Sequence, residues 1–438
     1  MQILVYSDRL SPRVSYIFRH VFTNMLGVDY AFTQSKDEFV DYPGCKIAYS
    51  LQRFDDVLSI APHGLLFEEG FSKHVITIEY WRNLPIFFKA YDDSAIPFDV
   101  FSAAFYLISR YEEYLPFKPD LHGRFSAQNS LAFTKGFLDI PLVDLWIKEL
   151  SKILCAKYPE FSSKPLKAYF LPTIDIDNAY AYKHKGFIHN SLALIRSLLF
   201  FRFSDIMQRI MVTLRFADDP YDSYTTLFNI LKPYPNAIWF ILGGRKSKYD
   251  KNISMQSRAM RRLIKEIASR FRVGIHPSYA AGVDYERVKE ELKELSDCLE
   301  TNISCSRQHF LRLHFPKTYR IINDLGISED YSMGYSTHIG FRASTSIPFN
   351  FYDLVDEKEL PLKIFPFVTM DLTLLNVVGS YPVNSVIKVV KLAKQVKEVG
   401  GTFVIIWHNE SLSGRNEWKG WENTYGEIVA EVASVFES

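Results

Sequence analysis

From residue 168 onward, short apolar runs alternate with amphipathic helical patterns, and this alternation restricts the chain to a parallel β/α architecture. Strands are expected at 168–176, 237–242, 272–276, 304–309, 364–369 and 402–408. Helical patterns lie between them at about 222–232, 254–270, 283–300, 316–325 and 384–398, with a last helix after Trp421. Parallel strands need a crossover, which each intervening helix supplies, so the sheet is either open or closed into a barrel. With 438 residues there is room for a second unit. Residues 1–165 are expected to form it, as a smaller α/β domain. It reads as a strand Gln2–Tyr6, a helix Pro12–Met25 opened by Ser11 and Pro12, and strands at Val28–Phe32 and Lys46–Tyr49. A long helix Pro97–Leu115 and a closing helix Asp144–Cys155 follow. The segment Pro159–Pro165 (P-E-F-S-S-K-P) is the expected linker, which sets the domains at 1–165 and 166–438.

The charge is nearly balanced, 51 basic against 50 acidic residues, so no global field draws the protein to nucleic acid. Cys45, Cys155, Cys298 and Cys305 are scattered without a C-x-x-C and read as reduced core thiols. The opening M-Q-I-L-V-Y-S-D-R-L lacks a basic region followed by an apolar one, and no apolar run reaches membrane-spanning length. A cytoplasmic location is the expectation. One segment departs from the balance. Lys183–Phe216 holds six Lys/Arg against the single acid Asp205, around the apolar run L-A-L-I-R-S-L-L-F-F-R-F. Such a basic amphipathic helix either packs on the outside of the barrel or makes weak contact with a membrane surface through 187–216.

Functional groups of a parallel barrel gather at the C-terminal ends of its strands. The first barrel strand ends in T-I-D-I-D, which puts Thr173, Asp175 and Asp177 on one face. Two adjacent carboxylates resist burial unless a cation or proton lies between them. His276 ends the next marked strand, before a Pro277 suited to a helix start; Arg307 and His309 lie in S-R-Q-H-F; Asp330, Asp371 and His408 end further runs. In the first unit, Arg110–Tyr114 and His122–Phe125 are polar clusters that fit a ligand site, a solvated helix end or salt links between the units.

Taken in order, T-I-D-I-D, H-P-S, R-Q-H-F, D-Y-S-M-G-Y with G-F-R-A, and W-H-N resemble the polysaccharide deacetylase family, also called carbohydrate esterase family four. The closer likeness is to a two-domain bacterial branch with an extra N-terminal domain. The resemblance covers roughly 165–438 and implies a distorted (β/α) barrel that removes acyl groups from sugars with a divalent metal, zinc being the first choice. It implies Asp175 as general base, His408 as general acid, Arg307 as the residue that orients the base, and Asp330 as the later acidic motif. Asp177 and His276 are the implied metal ligands. Two departures stand out: Ile176 separates aspartates that are usually adjacent, and Ala280 stands where the family has a second histidine four residues after the first. His309 is the expected substitute ligand, with His184 and His314 as alternatives. The implied partner is an acylated sugar or glycan precursor. A non-catalytic carbohydrate-binding descendant and a glycosyltransferase using D-x-D are the competing readings.

Overall fold

Two parallel sheets stand on one shared core in a computed structural model that describes residues 2–90, 94–164, 166–201, 203–244, 247–378 and 382–437. Pro165 of the expected linker and Arg202 of the basic segment lie outside the described residues, as does the side chain of Arg196. The first sheet has β1 (Gln2–Ser7), β2 (Asp29–Thr33), β3 (Lys46–Tyr49) and β4 (Leu58–Ile60) in the order β2-β1-β3-β4, all parallel. A short antiparallel pair follows, β5 (Glu79–Trp81) with β6 (Leu84–Ile86).

The second sheet contains β7 (Tyr169–Ile176), β8 (Ile238–Leu242), β9 (Arg272–His276), β10 (Cys305–Ser306), β11 (Glu329–Asp330), β12 (Phe349–Asp353), β13 (Lys358–Ile364), β14 (Phe367–Met370) and β15 (Thr402–His408). Its order is β12-β13-β11-β10-β9-β8-β7-β15-β14, and the β12–β13 pair alone is antiparallel. Alternate residues of each strand serve two apolar layers. Leu171, Phe240, Cys305, Phe367 and Ile406 meet inside the curl, whereas Ile174, Trp239, Ile405 and Trp407 pack outward in the main core. Burial on both faces explains why β7 is buried from Phe170 to Ile176 and reads as a continuous apolar run. The sheet curls into a half-barrel. The Phe367 amide donates to the Met333 carbonyl at 3.0 Å, which brings the β14 edge back to the segment after β11.

Val14, Phe18, Phe101 and Trp146 belong to the same main cluster, so one core underlies both sheets. Ion pairs buried at the seam reinforce it. Arg13 is fully buried and donates from Nε to Glu357 Oε2 at 2.9 Å. The long helix expected over Pro97–Leu115 ends at Ile108, and Arg110 turns left-handed at φ 54°. That break swings Glu112 and Glu113 back, so Arg110 Nε meets Glu113 Oε1 at 2.7 Å and Arg342 Nη2 meets Glu113 Oε2 at 2.5 Å. The Arg110–Tyr114 cluster is therefore a buried salt link. Removing one partner of such a pair strands a charge in the interior, so Arg342→Met is expected to cost about 3–5 kcal/mol of stability, read by denaturant titration.

Other expectations are corrected by local chemistry. The strand expected over 304–309 shortens to Cys305–Ser306, because Phe310 and Leu311 take left-handed backbone at φ 60° and 54°. Pro277 does not open a helix: the helix expected at about 283–300 runs over Tyr285–Leu299 and is capped by Asp284, whose side chain accepts from the Arg287 amide. The basic segment forms two helices, Phe187–Leu199 and Phe203–Thr213. Cys155 is exposed, and the other three cysteines are buried. No described helix is long and apolar enough to cross a membrane.

Candidate functional site

Strand register brings the polar strand ends together. His408 lies opposite Asp175 in the β15–β7 pair. Across β7, β8 and β9, Asp175 is level with Phe240 and Gly274, and Leu242 with His276. Asp177 continues β7 to that second level. The ends surround a cleft of about 590 Å³ whose lining includes Asp175, Asp177, His276, His309 and His408.

Two imidazoles converge on Asp177, and each has its other nitrogen committed. His276 Nδ1–H donates to the Arg307 carbonyl at 2.5 Å, and His309 Nδ1–H donates to Asp250 Oδ1 at 2.8 Å. These bonds fix the tautomers, so the Nε2 lone pairs face Asp177 at 3.2 Å from Oδ1 and 3.2 Å from Oδ2. Acceptors do not approach acceptors without a cation or a proton between them. The pairing of a ligand histidine with a carbonyl or carboxylate on its far nitrogen is also what orients metal ligands. One ligand atom from each of Asp177, His276 and His309 lies within 4.8 Å of the others, and two imidazoles plus a carboxylate are a donor set suited to zinc with positions left open. Without a cation the site holds protons instead. Burial opposes a charged His309, but Asp177 and Asp250 outweigh it and push the ring up to about 9. Burial likewise opposes an ionised Asp177, but His309, His276 and His408 hold it well below the usual carboxylate range.

Residues 277–280 are not helical, so no helical i, i+4 relation sets Ala280 opposite His276. The Ala280 amide instead donates to Asp250 Oδ2 at 3.2 Å, as Ser247 Oγ does at 2.6 Å, while the Tyr279 amide donates to Asp250 Oδ1 at 2.8 Å. That loop holds Asp250, which in turn aims His309. Neither His184 nor His314 lines the cleft.

The base and acid expected at Asp175 and His408 face each other beside this cluster. Arg307 is fully buried and donates from Nη1 to Asp175 Oδ1 at 2.6 Å and Thr173 Oγ1 at 2.8 Å, and from Nε to the Tyr331 carbonyl at 2.9 Å. Its guanidinium rests on the Phe240 ring at 4.3 Å. A glycine is required at 274, since a Cβ there would come within 2.6 Å of that ring. Asp175 Oδ2 remains on the cleft side, 3.9 Å from His276 Nε2 and 4.0 Å from His408 Nε2. His408 Nδ1 lies 2.9 Å from Asp371 Oδ1, and its Nε2 is 3.7 Å from Asp177 Oδ2. Burial opposes the imidazolium, but Asp371 overrides it and raises the pKa of His408 well above the ordinary value.

Asp330 is not brought to the cleft. It pairs with Ser306, the neighbour of inward-facing Arg307, and therefore lies on the opposite face of the sheet. Its carboxyl accepts from Ser306 Oγ at 2.9 Å and from Ser332 Oγ at 2.9 Å, and burial pushes it up to about 6.

The fold adds Asp250 and Glu410, which sequence reading passed over, and gives a place to others it had singled out. Asp250 aims His309 and Asp371 aims His408, and Glu410, pushed up to about 7 by burial, lines the cleft two residues after His408. From the first 165 residues, His122 and Arg124 also line it. Arg124 Nη1 donates to the Phe310 carbonyl at 2.7 Å, and the His122 ring lies 4.8 Å from that of Phe310. Phe310 stands 4.8 Å from the His309 ring and 5.3 Å from both Tyr249 and Tyr279, which makes an aromatic wall beside the acidic cluster.

Residues 3–159 match the model of a family of unknown function, DUF7033. No curated protein matches. Among solved structures, similarity is found to a candidate polysaccharide deacetylase from Mycobacterium smegmatis at 15% identity, covering 62% of this chain and 85% of that one, with a TM-score of 0.40. It is also found to a mutant CE4 family pseudoenzyme with restored enzymatic activity, at 12% identity over 60% of this chain and 64% of that one, with a TM-score of 0.30.

Proposed function

We propose that this protein is a metal-dependent hydrolase that removes an acyl group, N-acetyl first among them, from a carbohydrate. The observation that carries this reading is the pair of imidazoles whose Nδ1–H groups are spent on an acceptor and whose Nε2 atoms both meet Asp177. Asp177, His276 and His309 would hold a divalent ion, and such an ion supplies Lewis-acid chemistry and an acidified water. Asp175, oriented by Arg307, would accept a proton from the attacking water. His408, its pKa raised against burial by Asp371, would give one to the leaving nitrogen. Tyr249 and Phe310, backed by Tyr279, offer ring faces to a sugar in the cleft. The match over 3–159 supports reading the first 165 residues as a unit added to the barrel, and His122 and Arg124 give that unit a share in the substrate cleft.

A glycosyltransferase would need both aspartates of D-I-D for a nucleotide-bound metal, whereas Asp175 Oδ1 is taken by Arg307. A non-catalytic descendant would have no need of a base and a charged acid at facing positions.

Zinc titration together with acetate release from a panel of acetylated sugars tests the proposal. Asp177→Ala and His309→Ala should each weaken zinc binding by about 10²-fold or more, since each removes one of three ligands. The affinity should also fall on acidification. His309 titrates near 9 in the ion-free protein, so at neutral pH the ion must displace a proton and lose about tenfold in affinity per unit of falling pH. Calorimetry in two buffers of different ionisation heat counts that proton. Zinc binding that is equal in wild type and both variants would remove the proposed site.

A further inference from the structure

Among the described residues, exposed large apolar side chains are concentrated on the helix pair Phe187–Leu199 and Phe203–Thr213, the link between them and the turn after it. Ten large apolar side chains between residues 195 and 216 are exposed, against fifteen in the rest of the described chain. On the helices Leu198 is 58% exposed, Phe203 62% and Met207 62%, values foreign to a helix packed on a barrel, and beside them Phe201 is 78% and Phe216 72% exposed. The same stretch, 183–216, has six Lys/Arg against one Asp in its sequence.

The position of the pair ties this surface to the cleft. It is inserted directly after Asp177, at the C-terminal end of β7. At its base, Lys185 Nζ donates to Asn178 Oδ1 at 2.8 Å, and Asn178 lines the cleft. Arg415, two residues from cleft-lining Glu417, donates from Nη1 to the Tyr182 hydroxyl at 3.1 Å. Leu372 lines the cleft and is itself 42% exposed.

We infer that this helix pair docks the mouth of the cleft on an anionic lipid surface. Helices of 13 and 11 residues are too short to span a bilayer and suit a position in the interface, apolar side chains in the acyl boundary and cations at the head groups. Charge decides between a bilayer and a second copy of the chain as the occupant, since a symmetric partner would set the same cations against each other. Under the hydrolase reading, and resting on it for this point only, the substrate is then an acylated sugar carried on a lipid.

The test is flotation of the full chain with vesicles of phosphatidylcholine alone or mixed with phosphatidylglycerol, at low and high salt. Binding is expected to the mixed vesicles, with a roughly tenfold weaker partition at high salt. The triple variant Phe201→Ser, Phe203→Ser, Phe216→Ser should lose about tenfold or more of it. Its circular dichroism and zinc affinity should match wild type, because all three side chains are already in water. No flotation with the mixed vesicles, equal flotation with both kinds, or undiminished binding of the triple variant would overturn the inference. So would a lipid-free dimer in analytical ultracentrifugation that the triple variant abolishes, which would give the face to a second copy. Zinc affinity and acetate release from a soluble acetylated sugar, measured on the same preparations, report on the proposed reaction separately.

Discussion

Asp175→Asn is expected to lower acetate release by about 10²–10⁴-fold while leaving zinc content at the wild-type level, since it removes a base and not a ligand. The two aspartates of D-I-D differ in what holds them. Asp177 meets two imidazole Nε2 atoms at 3.2 Å, whereas Asp175 gives one oxygen to Arg307 and keeps the other toward the cleft. An amide at 175 still accepts from Arg307 through its oxygen, and so preserves the geometry, but it cannot take a proton from water. The substitution has a second effect. Asp175 is the carboxylate ion-paired with Arg307 among the described residues, and Arg307 is fully buried. Its charge would lose its counter-ion, at a cost approaching the about 3–5 kcal/mol of a broken buried pair. Melting temperature and zinc content are therefore measured beside turnover. A folded Asp175→Asn protein that has lost zinc as fully as Asp177→Ala would make both carboxylates ligands. Unchanged turnover would remove Asp175 from the chemistry altogether.

How much of this site could be read from sequence follows from the period of a strand. Residues 173, 175 and 177 share a face because side chains alternate, and the buried half-barrel turned that face inward, as Thr173 and Asp175 both meeting Arg307 shows. The same alternation explains the misplacement of Asp330. Ending a strand is not sufficient. Pairing with Ser306, one residue before Arg307, sets its carboxyl on the wrong face, and nothing local to E-D-Y-S declares that register. Asp250 escaped notice because its role rests on an imidazole 59 residues away in the chain. A salt link between the units was one reading of the run Arg110–Tyr114, but its partner Arg342, 229 residues from Glu113, was hidden for a similar reason. A helical pattern continues through Ser109, and only the distant arginine makes a left-handed turn at Arg110 worthwhile. The basic helix pair was legible as amphipathic, but its exposure is a property of packing that periodicity does not contain.

The second large effect concerns proton delivery. Asp371→Asn should lower turnover by about 10²–10⁴-fold at neutral pH and move the alkaline limb of the pH–rate profile toward acid. His408 is the group that would protonate the leaving nitrogen, and its charge state is set by opposing influences. Burial disfavours the imidazolium; Asp371, through charge and through the 2.9 Å bond to Nδ1, is the largest influence in its favour, with Asp177 and Asp175 behind it. An ion held by Asp177 would cancel part of that carboxylate's share and leave Asp371 as the residue on which protonation depends. The sign is fixed by the raised pKa. The imidazolium–carboxylate pair contributes stability in full below the ordinary pKa of imidazole and loses it as pH rises through the elevated folded value. In wild type, activity should therefore persist past the ordinary range of histidine before it falls. An amide at 371 keeps an acceptor for Nδ1–H but withdraws the charge, so burial weighs more heavily and the pKa of the ring falls. A merely structural role for Asp371 would reduce activity equally at all pH values, whereas the positioning role predicts partial recovery on acidification. His408→Ala, which removes the acid outright, should show the same loss with no recovery at low pH. Parallel profiles for wild type and Asp371→Asn would mean that the leaving group takes its proton from elsewhere, with Glu410, at about 7, the next group to test.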